Sequence, residues 1–356
     1  MQPDDPDKTL PVEDPRLSEL LRANAGQILG RMLDDLPEGM ETTGGEIGPY
    51  RLHEILGEGG FGIVWRAEQT EPVRREAALK VIKPGMDTMQ MLGRFNQERQ
   101  AVASLDHPGI ARLINAGVTQ DGRPWFAMEM VRGGPVTTWC KNQGATLPQR
   151  LQLFIQVCDA VQHAHEKGIL HRDLKPSNIL VTEVDGAPVP KVIDFGIAKA
   201  INAASSLKDL TMLTQADQVL GTPVYMSPEQ VEGGQELDAR ADVYSLGVLL
   251  YQLLTDTLPF DLTIFKAGDL SAMKRHILET MPQRPSTRLR KRTTSGTMAA
   301  QKTLPSSLPE DLDWIALRAL EKSRQRRYAS ALELAQDVQR HLEHRPVLAR
   351  PPSWLS

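Results

Sequence analysis

Six residues, Gly57-Glu58-Gly59-Gly60-Phe61-Gly62, constrain the fold of this 356-residue chain more than any other stretch, because of what flanks them. Tyr50 to Leu56 before them and Ile63-Val64-Trp65-Arg66-Ala67 after them carry the β-branched and aromatic residues of strands. The glycines therefore join a hairpin, whereas a dinucleotide-binding fold needs a helix directly after its glycines. Glycine without a Cβ lets backbone N–H groups close on phosphate oxygens, but the same spacing also serves a plain tight hairpin. On these residues alone both readings stand.

With 40% hydrophobic and 24% charged residues, the chain has the balance of a soluble globular protein and the length for two domains. A net charge of -4 offers no general surface for nucleic acid, and no nucleic-acid partner is expected. The two cysteines, Cys140 and Cys158, form neither a disulfide framework nor a zinc spacing and suit a reducing, cytoplasmic compartment. The start, Met-Gln-Pro-Asp-Asp, is acidic, unlike a secretory signal. The longest apolar stretch, Val243 to Leu254, is broken by Tyr244, Ser245 and Gln252 and falls short of the ~20 residues of a membrane span.

Residues 1–46 hold eleven acids against four bases and read as an acidic extension. Within it, Asp14-Pro15 can open one amphipathic helix whose apolar face includes Leu17, Leu20, Leu21 and Ile28; it either packs on the neighbouring domain or receives a partner. Further on, Lys80 stands alone in the apolar strand Ala77 to Val81, where an ammonium needs an anion. Glu98, on a helix expected over about 88–104, can supply it together with nucleotide phosphates; a strand-edge lysine reaching solvent is the alternative. Trp125 to Val131 reads as a strand ending at Gly133-Gly134, with backbone for an adenine edge. A helix starts at Thr146-Leu147-Pro148 and stops at Gly168, and no ligand role falls to His163 or His165 near its end.

Then come His171-Arg172-Asp173-Leu174-Lys175-Pro176-Ser177-Asn178, an acid, a lysine and an amide crowded onto one turn. Such a turn can deprotonate a hydroxyl beside metal-bound phosphate: Asp173 as base, Lys175 against phosphoryl charge, and Asn178 as a hard oxygen ligand. Read alone, it is also an ordinary polar turn. Strand Ile179-Leu180-Val181, a turn at Asp185-Gly186 and Lys191 to Gly196 follow, with Asp194 at a strand end suited to a metal. Between Met281 and Pro309 six bases and no acids mark a mobile basic loop, in which Arg290-Lys291-Arg292-Thr293-Thr294-Ser295 is either solvated or a self-phosphorylation site. Asp313-Trp314 opens a helix and Ser330 to Glu333 reads as a capping box.

In this order the glycine hairpin, Lys80, Glu98, the Asp173 loop and Asp194-Phe195-Gly196 resemble the protein-kinase signature set. The likeness covers about 48–345 and continues through Gly221 to Glu229 and Asp242 to Gly247; the chain resembles bacterial serine/threonine kinases of the eukaryotic-like (Hanks) type. The resemblance implies an α+β, bilobal fold: a small β-rich lobe at 47–132, a larger helical lobe at 133–345, and a linker-like tail at 346–356. It implies ATP and Mg2+, with Lys80 on the α- and β-phosphates, Glu98 pairing with Lys80, and Asn178 and Asp194 holding the metal. Gly57, Gly59, Phe61 and Gly62 would cover the nucleotide, Val64, Ala78 and Leu180 would sandwich its ring, Met128 would gate the pocket, and Glu129 and Val131 would offer hinge backbone bonds. Lys175, with Thr222 bonding it and Asp173, points to serine or threonine of protein substrates as acceptor. Pro135 stands where many members carry an acid for the ribose hydroxyls, and Ser227-Pro228-Glu229 replaces Ala-Pro-Glu, leaving Glu229 able to pair with Arg327.

Arg172 directly before the base implies an anion partner, expected as phosphate on Thr214 or Thr211 with Lys199 assisting, placed there by autophosphorylation in a transient self-association. A pseudokinase scaffold and a small-molecule kinase are the rival functions.

Overall fold

The computed structural model describes residues 42–59, 62–83, 102–195, 223–233, 236–260, 270–294, 304–305 and 307–350. Residues Met1–Gly45 form one unit, of which 42–45 are described as a turn closed by the Gly45 N–H on the Thr42 carbonyl at 2.9 Å. The second unit, Glu46–Ser356, carries all the elements below. The helix expected near Pro15, most of the one over 88–104, and Phe61, Glu98, Lys199, Thr211, Thr214 and Thr222 lie outside the described residues.

Six strands, β1 (Glu46–Ile47), β2 (Tyr50–Gly59), β3 (Gly62–Gln69), β4 (Arg75–Ile82), β5 (Leu113–Val118) and β6 (Pro124–Glu129), make one antiparallel sheet in the order β1-β2-β3-β4-β6-β5. Its alternation sends Tyr50, Leu52, Trp65, Ala67, Ala77, Leu79, Val81 and Trp125 to one buried face. By the same period of two, Val64, Ala78, Lys80 and Met128 share the opposite, half-buried face: the register pairs Val64 with Lys80 and Ala78 with Met128. β6 ends at Glu129, two residues short of the expected strand end at Val131.

A second sheet, β7 (Gly134–Pro135), β8 (Ile179–Val184) and β9 (Ala187–Val192), lies among the helices. Asp185 and Gly186, both at positive φ, make the tight β8–β9 turn. Among the described residues the α-helices are α1 (Val136–Asn142), α2 (Leu147–Glu166), α3 (Pro228–Glu232), α4 (Ala239–Thr255), α5 (Leu270–Glu279), α6 (Pro285–Thr294), α7 (Glu310–Ala319) and α8 (Ala331–Leu342). Thr146 opens α2 through a capping box with Gln149, and Gly168, at φ +74°, follows its end. The apolar stretch from Val243 to Leu254 is α4, buried on nearly every side because α2, α6, α7 and α8 pack around it. Among the described residues no helix is long and apolar enough to cross a membrane.

One core runs from Ile82, Ile110 and Phe126 of the upper sheet region into α2, α4, α7 and α8. The join is also backbone-built: the Val192 N–H donates to the Gly109 carbonyl at 2.8 Å and the Ala111 N–H to the Val192 carbonyl at 3.0 Å. Two further expectations need correction. Part of the basic stretch expected as a loop is α6, whose Leu289 is buried in that core and whose first turn is held by Asp313, which accepts from the Ser286 N–H (2.8 Å) and hydroxyl (2.5 Å). The following helix begins at Glu310, three residues before the expected start, so Asp313 lies inside its first turn.

Candidate active site

The residues from His171 to Asn178 fold as they do because a buried carboxylate from α4 organises their backbone. Asp242 accepts from the His171 N–H (2.7 Å), the Arg172 N–H (2.8 Å) and the His165 ring (2.8 Å). Burial pushes its pKa up, but the hydrogen bonds it accepts from the His165 ring and the loop N–H groups outweigh that and hold it below the ordinary carboxylate range. Arg172 takes φ +62°, a left-handed conformation costly for a long side chain, and the Gln230 side-chain amide donates to its carbonyl at 2.9 Å. The strain is thus fixed from both sides of the residue. Neither His165 nor Asp242 was singled out for a role by sequence; the signal for the second is an acid at the head of an apolar helix, which must find partners when buried.

His171 ties this loop to the strand end that carries Asp194. Its Nδ1 accepts from the Asp173 N–H (3.3 Å), its Nε2 meets the Ile193 carbonyl (3.1 Å), and its ring lies 4.8 Å from that of Phe195. An acceptor at Nδ1 and a donor at Nε2 describe the neutral imidazole, and burial lowers the His171 pKa in agreement.

The chemistry-bearing groups then meet at one place. Lys175 Nζ lies 3.0 Å from the Asp173 carboxylate. The Asn178 amide nitrogen donates to the Asp173 carbonyl (2.8 Å) and carboxylate (3.3 Å), which leaves the amide oxygen as the end not used in these bonds. The Ile193 N–H donates to the Asn178 carbonyl at 2.9 Å, so Asn178 and Asp194 sit side by side where β8 and β9 open. From the opposite sheet, 114 positions away in sequence, Lys80 Nζ reaches both Asp194 oxygens at 2.6 and 2.5 Å. Asp194 is shown as the partner of Lys80; the expected Glu98 lies outside the described residues. Asp194 takes φ +61°, a second left-handed residue at the same site. One carboxylate and one amide oxygen suit a hard cation that draws further ligands from water and phosphate.

Above these groups the half-buried apolar residues Val64, Ala78 and Met128 share one sheet face, and Leu180 stands on β8 below. Gly57 and Gly59 are exposed at the end of β2, while a Cβ on Gly62 would fall 2.3 Å from the Val81 carbonyl oxygen, so that position admits only glycine without a shift of β4. The Glu129 N–H donates to the Arg112 carbonyl at 2.8 Å, so of its two backbone groups the N–H is already used; its carboxylate turns to Lys191 at 2.7 Å. Val131 is half-buried in the segment that leads to Gly133. Farther off, Glu229 and Arg327 form the expected pair, two parallel bonds of 2.7 and 2.8 Å with both side chains buried.

Among known proteins, the protein kinase domain family matches residues 50–341. The serine/threonine-protein kinase pkn3 of Myxococcus xanthus is 35% identical over 297 residues, 82% of this chain and 49% of that protein. The serine/threonine-protein kinase PknB of Mycobacterium leprae is 35% identical over 297 residues, 81% of this chain and 42% of that protein. The chain thus spans less than half the length of these relatives. A crystal structure of the Mycobacterium tuberculosis PknI kinase domain superposes with a TM-score of 0.61 at 25% identity, covering 85% of this chain and 100% of that one.

Proposed function

This chain belongs to the protein kinase family, and from that premise we propose that it is an ATP- and magnesium-dependent serine/threonine protein kinase. The observation that carries the proposal is the meeting of Lys80 with Asp194, 114 positions apart, beside Asp173, Lys175 and Asn178. A cation from one lobe and an acid from the other face a carboxylate placed to take a hydroxyl proton. That these relatives are named serine/threonine-protein kinases supports serine and threonine of proteins as the acceptor class.

In the proposed reaction, Val64, Ala78, Leu180 and Met128 enclose the base, and the Val131 backbone and the Glu129 carbonyl meet its edge. Gly57, Gly59 and Gly62 lie over the phosphates. Lys80 binds the α- and β-phosphates. Asp173 accepts the proton as the acceptor oxygen bonds to the γ-phosphorus, the bond to the β-γ bridging oxygen breaks, and ADP leaves with that electron pair. Lys175 offsets charge on the moving group. Asn178 and Asp194 would hold magnesium, which when bound neutralises phosphate charge. ATP as donor supports a cytoplasmic location for the catalytic unit.

The same reading extends to control. Arg172 Nε is buried and, among the described residues, has no hydrogen-bond partner. A phosphate on Thr214 or Thr211, assisted by Lys199 and placed by transient self-association, would satisfy it. The test is to incubate the chain with labelled ATP and magnesium beside Asp173→Asn and to map the label by mass spectrometry. The expected result is label on serine and threonine, including Thr211 or Thr214, reduced about 10²–10⁴-fold in the variant. ATP binding without any label would sustain the scaffold reading instead.

A further inference from the structure

Between the hinge and the catalytic loop, the floor of the cleft is one short pairing, Gly134 with Val181 and Pro135 with Leu180. The approach is close: a Cβ on Gly133 would fall 2.2 Å from the Val181 carbonyl oxygen. From Leu180 the chain runs back two residues to Asn178, a step of about 6–7 Å in extended backbone. A nucleotide with its base against Leu180 and Met128 and its phosphates at Lys80 and Asn178 therefore carries its sugar over the Pro135–Leu180 joint. This placement rests on the kinase reading above.

Among the described residues that joint has little to offer a sugar hydroxyl. Pro135 has no N–H, its ring is apolar, and its backbone is committed both to the β7–β8 pairing and to the start of α1, where it makes no side-chain cap. Leu180 is apolar. Two carboxylates of β4 and β6 are committed elsewhere: Glu76 bonds Arg66 (3.2 Å) and Arg132, and Glu129 bonds Lys191 (2.7 Å). Arg66 in turn bonds Glu54 at 2.7 Å, so these charges form a chain across β2, β3, β4 and the hinge.

We propose that this protein reads its nucleotide through base and phosphates and not through the sugar 2′-hydroxyl, so that 2′-deoxy-ATP serves as phosphoryl donor about as well as ATP. A hydroxyl donating to a buried carboxylate discriminates on the order of ten- to a hundredfold against its deoxy analogue, whereas a site without that partner has little to lose.

The experiment compares kcat/KM for ATP and 2′-deoxy-ATP on the full chain with magnesium, and calorimetric Kd values for ADP and 2′-deoxy-ADP. Both ratios are expected within about threefold. A preference for the ribose form of about tenfold or more overturns the proposal while leaving the kinase reading intact, because the ribose nucleotide still binds and reacts. If neither nucleotide binds, the kinase reading falls and takes this proposal with it. In Pro135→Glu, whose carboxylate has the length to reach past the start of α1, the ratio is expected to rise to about tenfold or more. An unchanged ratio in a variant with an unaltered thermal unfolding transition overturns the assignment of position 135.

Discussion

At the scale of the residue, the site is held by buried and partly buried side chains that depend on each other. Glu229 and Arg327 show the energetics most plainly. The Arg327 side chain is 0% exposed; besides the two carboxylate bonds it donates to the carbonyls of Glu321 (2.7 Å), Lys322 (3.0 Å) and Arg240 (2.9 Å). Burial pushes the Glu229 carboxyl up, and the hydrogen bonds and charge of Arg327 bring it below its ordinary value. Removing one partner strands a buried charge, so Arg327→Met is expected to cost about 3–5 kcal/mol of stability, measured by urea unfolding. A loss under about 1 kcal/mol would show that the pair is not the anchor described here. The same dependence operates at Arg172 and Asp194, whose left-handed backbones persist because Asp242, Gln230 and Lys80 bond the residues that adopt them.

At the scale of the element, close backbone approaches decide which glycines are replaceable. Gly133 and Gly134 are neighbours in sequence, yet a Cβ on Gly133 meets the Val181 carbonyl oxygen at 2.2 Å and a Cβ on Gly134 meets nothing within 4 Å. Gly133→Ala must therefore push the hinge away from β8. It is expected to lose about 1–3 kcal/mol and to weaken nucleotide binding severalfold, while Gly134→Ala stays within about 0.5 kcal/mol of the parent. Equal effects in thermal unfolding and nucleotide titration would contradict this account. Helix ends were legible where the cap was local, as at Thr146-x-x-Gln149. At α8 the box is shifted: Ser330 accepts from the Glu333 N–H, but the Glu333 carboxylate reaches back to the Ala329 N–H. α6 was not legible, because its first turn is held by Asp313 from a different helix and its apolar anchor in the core is the single residue Leu289.

At the scale of the whole molecule, burial sets the response to pH. His107, His171 and His341 all have pKa values lowered, in each case chiefly by burial. The unfolded chain takes up these protons as pH falls through about 6.5, and the folded chain does not. Stability from these groups is therefore level above that pH and falls below it, by at most about 1.4 kcal/mol per pH unit for each histidine. Unfolding free energies measured from pH 8 to pH 6 are expected to decline toward the acid end; a flat or rising profile would contradict the burial of these rings. Asp242 and Glu229, both lowered, lose their contributions only below the ordinary carboxylate range, outside this window.

Local chemistry and its order are written in the residues alone: a glycine hairpin, a lone lysine in an apolar strand, an Asp-x-Lys-x-x-Asn turn, and an acid ending a strand. Those features are written in neighbouring residues, where turn preference and strand period act. The partners were set by the packing of distant elements. Lys80 meets Asp194 across 114 positions, Asp242 meets His165 across 77, and Arg150, fully buried, bonds Asp256 at 2.7 Å across 106. Each joins charged or polar groups whose need for a partner is evident once they are buried, but whose choice depends on which elements the core brings together. Periodicity shows that a side chain turns inward; packing of the two lobes selects what it meets there.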